Sequence, residues 1–146
     1  MYQKILVPLD GSPLAEAVLP HAEALAKSEG AELILLRVAV NPAAEFAFSD
    51  PALAQTFVSD MESDTKSYMS QMEQKMKQDG MRARSLIREG PIAETILAVA
   101  NELNADLIAM STHGRSGVQR WLMGSTADRV VNHSKIPVLL IRPQAT

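Results

Sequence analysis

At 146 residues and a net charge of −3, the chain has the size of one ordinary domain and no basic surplus to support nucleic-acid binding. It has no cysteine, which excludes disulfides, thiolate zinc sites and cysteine nucleophiles together. With 47% hydrophobic and 21% charged residues it reads as a packed soluble globule. No apolar run approaches the roughly 20 residues of a membrane span, and no signal segment precedes the first strand, so a cytoplasmic location is expected.

Strand and helix signals alternate along the chain. Residues 4–9 form an apolar run rich in β-formers, ended by the turn residues Asp10-Gly11-Ser12-Pro13. Ser12 is a natural N-cap with Pro13 at the first helical position. Leu14, Val18, Leu19, Ala22, Leu25 and Ala26 then recur at helical spacing up to Gly30, a C-terminal stop, and Pro20 is expected to kink this helix. A buried strand is predicted over 32–40. Residues 41–50 are the least regular, and Pro51 restarts a helix whose stripe is Leu53, Phe57, Met61, Tyr68, Met72 and Met76, ending at Gly80. The strand over 82–88 is less apolar and is expected nearer a sheet edge.

Gly90-Pro91 opens a further helix with Ile92, Ile96, Leu97, Ala100 and Leu103 on one face. A fourth strand is predicted over 106–110, a last helix after Gly124, and a fifth strand over 137–141. Apolar strands separated by helices indicate a parallel sheet covered on both faces. Ligands of such sheets bind beyond the carboxyl ends of the strands, where strand order reverses. Two loops stand at such ends: Asp10-Gly11-Ser12, and the stretch Ser111-Thr112-His113-Gly114-Arg115-Ser116-Gly117 that leads on to Gly124-Ser125-Thr126.

Strand, glycine loop and hydroxyl-rich helix start together supply unpaired backbone N–H groups and a positive helix end, which is what a phosphate needs. Gly114 and Gly124 also fit plain turn and helix-start glycines, and Ser125 fits an N-cap. Asp10 fits a turn residue as well as a ligand group. His113 has no second histidine at ligand spacing and reads as a loop residue, while His21 and His133 read as surface or boundary positions. Met61, Met69, Met72, Met76 and Met81 read as a core or interface stripe rather than metal ligands.

The spacing Gly114-x9-Gly124-Ser125 resembles the signature G-x2-G-x9-G-[S/T] of the universal stress protein (UspA-like) family, with Ser111 in place of its first glycine. The resemblance extends over nearly the whole chain, through Ile5-Leu6-Val7-Pro8-Leu9-Asp10-Gly11-Ser12, Gly90-Pro91-Ile92 with Ile96, and Pro137-Val138-Leu139-Leu140-Ile141. It implies a single α/β domain, a three-layer open parallel five-stranded sheet of the adenine-nucleotide alpha hydrolase-like kind, with strand order 3-2-1-4-5. It also implies the ATP-binding branch, a stress-response module with ATP as ligand. The adenosine would lie by Pro8, Leu9, Asp10, Val38 and Met110, and the phosphates by Ser111, His113, Gly114, Arg115, Gly117, Gly124, Ser125 and Thr126. Mg²⁺ could accompany the nucleotide through water on Asp10.

The P-loop signature and the kinase loops are absent, and the glycine loop has no lysine. Binding is therefore expected rather than efficient turnover, with slow ATP hydrolysis or self-phosphorylation as the alternative. A phosphoacceptor receiver is set aside because the third strand ends Arg88-Glu89-Gly90 without an aspartate nucleophile, and a dinucleotide fold because no G-x-G-x-x-G follows a strand. The apolar strand Val138–Ile141 would leave an unpaired edge if outermost, and the resemblance implies a homodimer paired through it. Gly124→Val is expected to block phosphate approach while leaving the fold intact.

Overall fold

The computed structural model describes residues 1–39, 51–113 and 124–143. Five strands, β1 (Lys4–Leu9), β2 (Glu32–Ala39), β3 (Ala83–Glu89), β4 (Leu107–Ser111) and β5 (Val138–Ile141), form one parallel sheet in the order β3-β2-β1-β4-β5. The expected order 3-2-1-4-5 is thus the observed one. Successive strand residues point to opposite faces, so β1 sends Ile5, Val7 and Leu9 into one core and Leu6 into the other.

After the short α1 (Pro13–Glu16), the first core is closed by α2 (Leu19–Glu29) and α3 (Pro51–Gln78), which contribute Leu19, Ala22, Ala26, Met69 and Met76. The second lies under α4 (Ile92–Glu102) and α5 (Ser125–His133), through Ala93, Ile96, Val99, Ala127 and Val130. Full burial of each Leu or Ile side chain contributes roughly 1.5–3 kcal/mol. Met69, Met76 and Met81 are buried core residues, as the stripe predicts. Its first turns are not: Leu53 is 57% exposed and Phe57 40%.

The expected kinked helix is instead two helices. Pro20 has no N–H to bond the Glu16 carbonyl, so α1 ends at Glu16 and the chain restarts with Pro20 in the first turn of α2. Gly30 closes α2 with φ 68°, the left-handed stop the sequence indicates. The β3 edge is covered from above, since the Ser85 N–H donates to Glu73 Oε1 of α3 at 2.6 Å. Predicted elements otherwise differ by a residue or so at their ends, and residues 40–50 lie outside the described residues.

Candidate functional site

The chain runs from β1 outward to β3 in one direction and from β4 to β5 in the other, so strand order reverses between β1 and β4. Their carboxyl ends splay apart there, and a cleft opens between the turn after β1 and the start of α5. It encloses about 100 Å³ within a wider, solvent-open space of about 640 Å³.

The turn after β1 is fixed locally. Asp10 Oδ1 accepts hydrogen bonds from the Ser12 N–H at 2.9 Å and the Ser12 hydroxyl at 2.5 Å. Ser12 Oγ in turn accepts from the Ala15 N–H at 3.2 Å, capping α1. The same turn directs Asp10 and buried Ala15 into the cleft wall. On the other side β4 continues into Thr112, whose N–H donates to the Ile141 carbonyl at 2.9 Å. Thr112 Oγ1 and His113 Nδ1 share a hydrogen bond at 2.9 Å.

Gly124 then folds back on this strand end, its N–H donating to the Thr112 carbonyl at 2.8 Å. It is the N-cap of α5, with Ser125 the first helical residue, so the capping role read for Ser125 falls to the glycine. Among the described residues no side chain caps this end. The first-turn amides of α5, which have no intrahelical partner, therefore sit beside the cleft with the positive end of the helix dipole.

Pro8, Leu9, Asp10, Val38, Met110, Ser111, His113, Gly124, Ser125 and Thr126 all line this one cleft. Gly114, Arg115 and Gly117 lie outside the described residues. Ala15, Leu36, Thr112, Ile92, Ile96 and Ala127 line it as well, although the sequence reading did not name them as ligand contacts. Three of these carried a readable signal: Leu36 shares a strand face with Val38, and Ile92 and Ile96 are one turn apart in the helix after Gly90-Pro91.

The cleft is apolar where Leu36, Val38, Ile92, Ile96 and Met110 meet, and polar at Asp10, Ser111, Thr112 and the α5 start. That division suits a ligand with a flat apolar body and an anionic tail. Among the described residues no cluster of three or more His, Cys, Asp or Glu side chains could hold a metal ion, and Asp10 is the one carboxylate in the lining.

Gly124 also has a purely structural requirement. A Cβ there would lie 2.9 Å from the Thr112 carbonyl oxygen, a backbone atom with little freedom to move. Its φ of −62° is open to any residue, so it is the close approach that demands glycine. A valine at Gly124 would therefore strain this backbone contact as well as crowd a phosphate.

A model of the universal stress protein family matches residues 1–142. Universal stress protein MJ0531 of Methanocaldococcus jannaschii is 31% identical over 144 residues, covering 97% of this chain and 83% of that protein. The solved structure of MJ0577 from the same organism is similar with a TM-score of 0.86 at 27% identity, over 100% of this chain and 99% of that one. A universal stress protein family protein from Arabidopsis thaliana with AMP bound has a TM-score of 0.71 at 17% identity, over 98% and 93% of the two chains. That last likeness is one of fold.

Proposed function

The chain belongs to the universal stress protein family, and from that premise we propose that it is an adenine-nucleotide-binding regulatory module with ATP as its ligand. The observation that carries this reading is the two-ended cleft. Apolar Val38, Leu36, Ile92 and Met110 suit an adenine ring, and Asp10 lines the same cleft as an acceptor suited to a ribose hydroxyl. Gly124, Ser125 and Thr126 bring an uncapped helix start to the other end, where a phosphate gains from both the free amides and the dipole. Gly114, Arg115 and Gly117 extend the phosphate side through their spacing in the signature. Mg²⁺ would travel with the phosphates, since among the described residues Asp10 is the one carboxylate in the cleft lining.

Holding is favoured over cleavage. Phosphoryl transfer needs a placed nucleophile and cationic stabilisation of the transferred group. Residues 111–126 contain no lysine, and Asp10 already accepts two hydrogen bonds from Ser12. A homodimer through β5 fits the same reading. Among the described residues β5 pairs only with β4, its four residues are half-buried, and its end is bonded to Thr112 at the cleft rim. Nucleotide occupancy and dimer state thus meet at one strand end.

Mass spectrometry of nucleotide released from freshly purified protein, followed by calorimetric titration with ATP, ADP and AMP, tests the reading. ATP binding saturable at one site per chain is expected. Absence of binding by all three nucleotides would overturn it, and sustained phosphate release on the order of 1 s⁻¹ would replace the binder with an enzyme.

A further inference from the structure

The nucleotide reading leaves three polar side chains on the opposite face of the sheet without a role: Arg37, Tyr68 and Glu16. Strand alternation turns Leu36 and Val38 toward the cleft and Arg37 away from it, over α1. Arg37 is in register with Leu9, the last residue of β1. Its guanidinium lies against the next turn, so that a Cβ on Gly11 would stand 2.7 Å from Arg37 Nη1. Gly11 itself holds φ 86°, which favours glycine.

One turn further on, α1 faces two ways. Ala15 is buried in the cleft wall, and the adjacent Glu16 accepts a hydrogen bond from the Tyr68 hydroxyl of α3 at 3.0 Å. The Tyr68 ring packs against the first core by its carbon atoms, so packing does not require the hydroxyl. The hydroxyl is kept protonated well above the usual tyrosine range, first by burial, then by its bond to Glu16. Arg37 and Asp10 both act electrostatically on it, which sets all four groups in one neighbourhood.

We propose that Tyr68 and Arg37 are positioning residues that hold the Asp10–Glu16 segment in the shape the cleft requires, coupling α3 to nucleotide occupancy. The proposal rests on the nucleotide reading above. A ligand that fixes Asp10 and Ala15 also fixes Glu16, and with it the hydroxyl that α3 contributes. Linkage makes this reciprocal: loss of the α3 contact weakens nucleotide binding, and nucleotide binding tightens α3.

The test is calorimetric ATP titration of the wild type, Tyr68→Phe, Glu16→Ala, the double variant and Glu16→Gln, with hydrogen exchange of residues 65–72 in each. Tyr68→Phe and Glu16→Ala should each weaken ATP binding roughly three- to tenfold, the scale of one ordinary net hydrogen bond. The double variant should be no weaker than the singles, and Glu16→Gln, which keeps an acceptor oxygen, should recover most of the loss. ATP should slow exchange across 65–72 in the wild type but not in Tyr68→Phe. A purely structural contact would lower the melting temperature of every variant and leave ATP affinity and ligand-dependent exchange unchanged. That outcome, in a wild type that binds ATP, overturns this inference alone. A wild type that binds no nucleotide overturns the functional reading beneath it.

Discussion

Replacing Gly124 with alanine isolates the close approach that organises the cleft. The added Cβ would sit 2.9 Å from the Thr112 carbonyl, about half an ångström inside ordinary contact, and it meets backbone rather than a side chain that can swing away. Overpacking of this kind costs about 1–3 kcal/mol. Relief requires moving Gly124 from Thr112, which lengthens the 2.8 Å hydrogen bond between them and adds up to about 1 kcal/mol. Against this, alanine restricts the unfolded chain and returns roughly 0.4–1 kcal/mol, because φ of −62° suits it. The balance is a net loss of about 1–2 kcal/mol, a fall of roughly 3–8 °C in melting temperature for a chain of this length. Circular dichroism melting of nucleotide-free protein measures it directly. A melting temperature within about 1 °C of the wild type, or above it, would refute the steric reasoning.

Thr126→Val changes a cleft residue without touching that backbone contact, and should weaken ATP binding roughly three- to tenfold by calorimetry while apo stability stays within about 0.5 kcal/mol. Asp10→Ala removes the acceptor for two Ser12 bonds and should cost about 1 kcal/mol in urea unfolding, together with at least a tenfold loss of nucleotide affinity. Met76→Ala empties a fully buried core position and should cost about 2–5 kcal/mol with the ligand site left in place. Burial pushes the Glu73 carboxyl up, but bonds from Lys77 and the Ser85 N–H outweigh it and hold the group below its ordinary value. Its folded pKa being depressed, its contribution is present above the unfolded value and is lost as pH falls below about 4.3; Glu73→Gln should flatten acid unfolding curves in that window. Leu140→Asp places a charge on outermost β5 at a half-buried position against the second core, so light scattering should give a monomer in place of the dimer expected of the wild type, with a lowered melting temperature.

The strands and the two strand ends that border the cleft were legible because each signal is local, and the strand order came with the family resemblance. Continuous apolar runs mark strands buried on both faces, Gly30 marks a left-handed stop, and the glycine spacing before Ser125 carries the family resemblance. Asp10 and Gly124, more than a hundred residues apart, fall at one crevice only if strand order reverses between β1 and β4, which the resemblance implied and the sheet bears out. Pro20 was misjudged because sequence reveals the missing N–H but not whether neighbours can bridge a kink; here the chain begins a new helix instead.

By itself, then, the sequence determined the periodicities, the turn chemistry and the resemblance, all of which depend on near neighbours along the chain. Tertiary structure decided what depends on distance in space. It brought Leu36, Ile92 and Ala15 into the cleft from three separate elements, and set Arg37 over Gly11 and Tyr68 against Glu16. It also made Gly124 necessary for the backbone as well as for any ligand, because a carbonyl from the preceding strand end occupies the space a side chain would need.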